Sequence, residues 1–240
     1  MSDLWTIVWK EWNDTLWSGG RYDLFRPLLV IAILGIVLPL TFEQRWLELD
    51  SAAVLIILYT PFMLIISFIG DAIAGERERH TLETLLASRI SDRAILLGKV
   101  LVAVGFAWGL TVFCLLIGAV VVNLSQGNAQ WVFYAPNNLF VVVLILSFLT
   151  NLLAASGGVL ISLKSATVRQ AGQTMILGMI LLGLAVYGVA RLLPARMTAA
   201  LTTSQIVQII LLTVAVLDAI LLAASLVSFQ RSRLILGTEN

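Results

Sequence analysis

One charged stretch contains residues whose types and spacing could carry a function. It spans residues 75–88 and reads GERERHTLETLLAS. Leu82, Leu85 and Leu86 recur at helical spacing within it, with Thr84 turned elsewhere, so the stretch predicts a short helix with one apolar edge. That edge can pack on the ends of the chain's own helices, or it can dock into a groove on a soluble partner, as amphipathic helices do. The periodicity leaves both interpretations open.

Asp218 is a second candidate, because it lies near the middle of the last long apolar segment. A carboxylate inside a bilayer is costly and is a functional hypothesis by default. Asp218 could bind a cation or a proton and so draw on an ion gradient. Alternatively, it is protonated or hydrogen-bonded and holds two helices together.

Three small polar residues, Ser147, Thr150 and Asn151, have the i, i+3, i+4 spacing that places them on one helix face. Such residues usually mark helix contacts in membranes, although this face could instead line a polar pathway. His80 has no second ligand nearby, and no pair of His, Asp or Glu residues stands at the spacing of a metal or protease site. We therefore predict no metal and no catalytic residue.

The amino-acid composition indicates which class of protein carries these residues. Of its 240 residues, 60% are hydrophobic and 12% are charged, whereas a soluble domain carries roughly a quarter charged residues. The sequence therefore predicts an all-α polytopic membrane protein. The net charge of +1 gives no indication of a nucleic-acid partner, and a single Cys114 excludes an intramolecular disulfide.

A helix needs about 20 apolar residues to cross the hydrocarbon core, and six windows of the sequence approach that length. They are residues 25–42, 52–74, 95–122, 139–163, 171–192 and 206–228. Pro39 and Pro61 lie inside windows and are interpreted as kinks. We expect a six-helix transmembrane domain over residues 25–228, followed by a cytoplasmic tail over residues 229–240.

Lysine and arginine predict the orientation, since cytoplasmic loops retain them. Of the 15 such residues, twelve fall on the side of the termini and three on the other side. The twelve are Lys10, Arg21, Arg26, Arg77, Arg79, Arg89, Arg93, Lys99, Lys164, Arg169, Arg231 and Arg233, and the three are Arg45, Arg191 and Arg196. Both termini and the charged stretch are therefore predicted to be cytoplasmic, in a multi-pass protein of the inner (plasma) membrane.

Residues 1–24 precede the first window. Trp5, Val8, Trp9 and Trp12 recur at i, i+3, i+4 and i+7, with charged residues on the other face. This pattern predicts an interfacial amphipathic helix lying on membrane lipid. A helix packed against the transmembrane bundle fits the same residues. The segment lacks the uninterrupted apolar core of a cleaved signal, so we expect the mature chain to begin at Met1.

The loop between the third and fourth windows contains no charge from Ser125 to Asn138. Its aromatic residues Trp131, Phe133 and Tyr134 are typical of an interfacial belt on the outer side of the membrane.

Residues 75–100, GERERHTLETLLASRISDRAILLGKV, resemble the signature that type-2 ABC export permeases carry between their second and third spans. The matching residues are Glu78, Arg79, Thr81, Leu82, Glu83, Leu85, Leu86, Gly98 and Lys99. His80 stands where the family usually has Gly, and Arg89-Ile90 stands where a small-to-Pro step is common. The six spans, the cytoplasmic termini and the length are also similar to the family.

The resemblance implies that residues 75–93 contain a coupling helix seated in a cleft of a separate ATP-binding cassette ATPase subunit. The ATPase-coupling residues would be Glu76, Arg77, Glu78, Arg79, Thr81, Leu82, Glu83, Leu85 and Leu86. The first four would supply ion pairs at the rim of the contact, and the three leucines would supply its anchors.

The chain shows no ATP site of its own. A Walker A loop needs Gly-x-x-x-x-Gly-Lys-Ser/Thr, and the one Gly-Lys pair, Gly98-Lys99, is followed by Val100 and preceded at the required position by Arg93. The resemblance thus implies a permease subunit that is not an enzyme and holds no cofactor, with ATP and Mg on the partner ATPase.

The resemblance also implies a second permease copy, as a homodimer or with a related permease, which would complete the substrate pathway. Its candidate lining residues are Ser147, Thr150, Asn151 and Asp218. The alternatives are a haem-exporter-like permease of cytochrome maturation, a gradient-driven transporter using Asp218, and a membrane scaffold that transports nothing.

Overall fold

The computed structural model describes residues 2–13, 27–49, 51–79, 90–127, 131–134, 137–192 and 203–229. Every regular element within these ranges is helical, so the predicted all-α class is confirmed. Long apolar runs adopt helices because a bilayer offers no water to satisfy backbone polar groups. The helices are α1 (Ser2–Asn13), α2 (Pro27–Phe42), α3 (Gln44–Leu47), α4 (Ser51–Gly70), α5 (Asp92–Gln126), α6 (Asn137–Lys164), α7 (Val168–Leu192) and α8 (Thr203–Ser228).

Four helices in the described ranges are long and apolar enough to cross a membrane. They are Ala52–Glu78, Asp92–Gln126, Leu139–Lys164 and Ser204–Ser228, which correspond to the second, third, fourth and sixth predicted spans. The first and fifth predicted spans are not confirmed. Helix α2 is apolar but shorter, and α7 opens on the polar residues Arg169, Gln170, Gln173 and Thr174.

The chain divides into two compact units, and the first comprises residues 1–65 and 94–152. Its core is built from apolar side chains of α2 to α6, with Trp46 and Tyr134 as the largest fully buried ones. The Trp46 indole N–H donates a hydrogen bond to the Tyr134 hydroxyl (3.2 Å), which donates to the Leu115 carbonyl (2.8 Å). Both aromatic polar groups are therefore satisfied inside the core, as burial requires.

The second unit comprises residues 66–93 and 153–240. Beyond Gly70 the chain is π-helical over Asp71–Gly75 and then forms a last α-helical turn, Glu76–Glu78. The second half of α6 approaches the end of α4 closely, since a Cβ atom added at Gly158 would lie 2.9 Å from Ile69 Cγ2. The close approach of these two helices therefore occurs at Gly158.

Candidate functional site

The charged stretch begins at the C-terminal end of the helix Ala52–Glu78. Glu76, Arg77 and Glu78 form its last turn, and the Arg79 amide closes that turn on the Gly75 carbonyl at 2.9 Å. The remaining predicted coupling residues lie outside the described residues: Thr81, Leu82, Glu83, Leu85 and Leu86. The charged turn therefore lies at the end of a helix that is long and apolar enough to cross a membrane.

The Arg77 guanidinium binds the C-terminal end of α6. Its Nη1 donates to the Ser165 carbonyl at 2.8 Å, and its Nη2 donates to the Leu163 carbonyl at 2.9 Å. The last carbonyls of a helix have no partner within the helix, and the partial negative charge there favours a cation. Arg77 thus satisfies two such carbonyls with one planar group.

Glu78 binds the start of the next helix. Its Oε2 accepts a hydrogen bond from the backbone N–H of Val168, the first residue of α7, at 3.2 Å. The first N–H groups of a helix are likewise unpaired and favour an anion. Of the four charged residues that the resemblance assigns to the rim of a partner contact, Arg77 and Glu78 thus bind this chain's own backbone.

The motif residues Gly98 and Lys99 lie on α5, where they hold the N-terminal helix α1. A Cβ atom added at Gly98 would lie 2.4 Å from Ile7 Cγ2, so only glycine allows this approach. The Lys99 ammonium lies 2.8 Å from Glu11 Oε1, with 4% of the lysine side chain and 18% of the glutamate side chain exposed. Nothing in the spacing of Lys99 and Glu11 along the sequence indicates this ion pair.

The tryptophan face of α1 remains largely open. Trp5 and Trp9 are 67% and 65% exposed, while Trp12 packs edge-on against Phe106 of α5. The contact with α5 agrees with the packed arrangement, whereas the position of the exposed Trp5 and Trp9 at a lipid surface stays a prediction.

The predicted polar face of α6 is buried in the first unit. The Ser147 hydroxyl donates to the Leu144 carbonyl (2.9 Å), and the Thr150 hydroxyl donates to the Ser147 carbonyl (3.0 Å). Neither the oxygen nor the nitrogen of the fully buried Asn151 amide has a hydrogen-bond partner among the described residues. The two hydroxyls are therefore satisfied locally, and the amide is not.

Asp218 lies in the second unit, on α8, and is 3% exposed. Within the described ranges neither of its carboxylate oxygens has a hydrogen-bond partner. The hydrogen-bonded contact considered from the sequence is not seen in that part of the chain. The same ranges contain no group of three His, Cys, Asp or Glu side chains that could hold a metal ion.

The loop after α5 departs in part from the predicted aromatic belt. Trp131 and Phe133 are exposed, as the belt requires. Tyr134, however, is fully buried, and its ring stacks on that of Phe140 with 4.9 Å between the ring centroids. The Asn123 side chain fixes the loop by donating to the Val132 carbonyl and accepting from the Val132 N–H, both at 2.8 Å. Placing Tyr134 in the belt was therefore wrong, because its phenol completes the core beside Trp46.

Comparison with known proteins gives two matches. The profile of the family described as "ABC-2 type transporter" matches residues 2–186. The chain is also similar to a protein of Bacillus subtilis (strain 168) named "ABC transporter permease protein NatB", with 25% identity over 159 residues. That alignment covers 61% of this chain and 41% of the relative, so the chain matches about two fifths of the relative's length.

Proposed function

The chain belongs to the ABC-2 type transporter family, and we propose on that basis that it is the permease subunit of an ATP-driven exporter. One observation carries this proposal. The family match runs through residues 75–93, and the charged turn at the start of that segment lies where the helix Ala52–Glu78 ends. A segment at this place can bind a soluble protein and transmit that protein's movement to the membrane-crossing helix.

The contacts of the charged turn support a division of roles within the segment. Arg77 and Glu78 bind the backbone between Leu163 and Val168, so they fix the base of the segment on the chain itself. The apolar edge of Leu82, Leu85 and Leu86 then forms the contact with the ATPase, since an amphipathic helix binds a partner by laying its apolar face into a groove.

ATP and Mg would bind to the partner, because the 240 residues contain no Walker A loop. We further propose six spans, with α2 and α7 as the first and fifth, and two permease copies around the transport pathway. The excess of lysine and arginine on one side supports an arrangement in which both termini and residues 75–93 face the cytoplasm of a cell whose inner membrane holds the protein.

The proposal is tested by purifying the tagged chain from its native membrane in mild detergent and measuring the ATP hydrolysis that accompanies it. We expect the double variant Leu85→Asp, Leu86→Asp to lose at least nine tenths of that hydrolysis, because two charges cannot enter an apolar cleft. Thr84→Asp is the matched control, since it adds a charge to the same segment away from the apolar edge.

Two results would contradict the proposal. One is that no ATP hydrolysis accompanies the unsubstituted chain. The other is that the double variant retains its hydrolysis while inserting normally into the membrane.

A gradient-driven transporter is the second candidate, favoured by the burial of the Asp218 carboxylate without a hydrogen-bond partner in the described part of the chain. In that case vesicles containing the purified chain and no ATP should conduct protons or alkali cations, read with ion-sensitive dyes. Asp218→Asn should abolish that flux. An absence of flux from vesicles that hold correctly folded protein would eliminate this candidate.

A further inference from the structure

A hydroxyl group from α6 interrupts the backbone hydrogen bonding of the helix that carries the charged turn. In a regular α-helix the Ala74 N–H would bond to the Gly70 carbonyl four residues earlier. Here the Ala74 N–H donates to Ser162 Oγ at 3.0 Å, and the Ser162 hydroxyl donates to the Gly70 carbonyl at 3.3 Å. One serine thus bridges the two groups that would otherwise pair with each other.

The geometry of α6 explains why Ser162 reaches this position. Gly158 lies one helical turn before Ser162, on the same face, and its missing side chain lets α6 approach to where an added Cβ would be 2.9 Å from Ile69 Cγ2. Small residues four positions apart allow two membrane helices to come close enough for side chain to backbone contact. Ser162 is fully buried, so water does not compete for the two groups.

The bridge coincides with a change in helix type. Residues Asp71–Gly75 are π-helical. Single π turns are rare within α-helices, and a side chain that enters the hydrogen-bond ladder distorts the helix at that place. A π turn contains one residue more than an α turn. Closing it into an α-helix would rotate every later residue by roughly 100° and shift it by about 1.5 Å along the axis.

We propose that Ser162 is a positioning residue that keeps this turn open and so sets the direction in which the coupling segment leaves α4. The inference rests on the proposed function, since the segment matters for its contact with an ATPase. Arg77 and Glu78 hold the next turn on the ends of α6 and α7, within the same unit. Force on residues 80–93 would therefore reach three helices at once, through α4, α6 and α7.

The geometry can be tested without the ATPase. In a chain whose buried Cys114 is replaced by Ala, spin labels at Arg79→Cys and Val227→Cys report a distance within the second unit. Ser162→Ala removes the bridging hydroxyl, so the Gly70–Ala74 bond can close and turn position 79. We expect the distance distribution to move by several ångströms, because a side chain rotated by roughly 100° swings through that much space.

Ser225→Ala is the matched control, because Ser225 is also fully buried and its hydroxyl donates within its own helix, to the Leu222 carbonyl at 2.8 Å. It should leave the distribution unchanged. Ser162→Thr keeps the hydroxyl and should resemble the unsubstituted chain. Gly158→Ala, which pushes α6 away from Ile69, should reproduce the shift of Ser162→Ala by withdrawing the hydroxyl.

The functional consequence is read in the complex. We expect Ser162→Ala to lower the ATP hydrolysis that accompanies the purified chain at least fivefold, with Ser225→Ala unchanged. A Ser162→Ala distribution that coincides with that of the unsubstituted chain overturns the inference while leaving the proposed function intact. An unsubstituted chain that carries no ATP hydrolysis overturns the proposed function and the coupling role together, even if the distance shifts.

Discussion

Lys99 Nζ lies 2.8 Å from Glu11 Oε1, and this ion pair joins the N-terminal helix α1 to α5 at a site where 4% of the lysine side chain remains exposed. A charge withdrawn from water to this extent is tolerable only when it is paired. Gly98, the neighbouring residue, lets Ile7 of α1 come close enough for the pair to form. The two motif residues Gly98 and Lys99 therefore together form the site on α5 against which α1 packs.

We expect Glu11→Gln to lower the free energy of unfolding by roughly 3 kcal/mol, because it removes the charge opposite a buried ammonium group. Combining it with Lys99→Met should recover most of the loss, since the double variant no longer leaves an unpaired charge in a buried site. Thermal unfolding in detergent measures both. Lys10→Gln, an exposed change on the same helix, should have little effect. A double variant no more stable than Glu11→Gln would contradict this account.

Gly98→Ala should destabilise the protein by about 1–3 kcal/mol, the usual cost of overpacking a filled site. The added methyl group would lie 2.4 Å from Ile7 Cγ2, so α1 must move. Ile7→Ala in the same chain should restore part of the stability. Gly105→Ala is the control on the same helix, because in the described part of the chain no side chain and no other element lies within 4 Å of a Cβ there. Equal effects at positions 98 and 105 would refute the close contact.

The Tyr134 hydroxyl should make stability fall in alkali. Burial raises its pKa above the usual range and outweighs the opposing effect of the Trp46 hydrogen bond. The folded state holds this proton more tightly than the unfolded state does. The contribution of the protonated Tyr134 to the free energy of unfolding is therefore complete below about pH 10 and is lost as the pH rises beyond it. Denaturant unfolding from about pH 9 to about pH 11 should show the decline.

Tyr134→Phe should remove that part of the pH dependence, although it also costs about 1–3 kcal/mol at neutral pH by leaving Trp46 and Leu115 without their partner. Tyr59→Phe, at a half-exposed position on α4, should keep the decline. A Tyr134→Phe profile parallel to that of the unsubstituted chain would show that another group titrates.

Asp218→Asn should not lower thermal stability. If the buried carboxylate is ionised, its replacement by a neutral amide removes the free-energy cost of burying a charge. If it is protonated, the amide differs little from it in shape and charge. Asp218→Ala is the comparison, since it removes volume as well. If Asp218→Asn destabilises by more than about 1 kcal/mol, the carboxylate makes a stabilising contact of the kind expected for a helix-joining residue.

The sequence by itself determined the class and most of the helices of this protein. Its apolar composition predicted a helical membrane protein. Of the six predicted windows, four correspond to helices that are long and apolar enough to cross a membrane. The spacing of residues also predicted that Ser147 and Asn151 share one helix face, and both are buried. It predicted a helix near the N-terminus as well, and residues 2–13 are helical. These properties are local, because a helix repeats every few residues and its apolar face is written in neighbouring positions.

Only the tertiary structure decided which polar groups meet. Lys99 pairs with a glutamate 88 residues away, and Arg77 binds the Ser165 carbonyl across the same separation. The resemblance to the permease family implied that the charges at residues 76–79 meet a partner molecule, which stays a prediction. The structure adds that Arg77 and Glu78 bind helix ends of their own chain. Ser162 gave no signal beyond its place four residues after Gly158. Periodicity says which face of a helix is buried, while its partners depend on how distant helices come together.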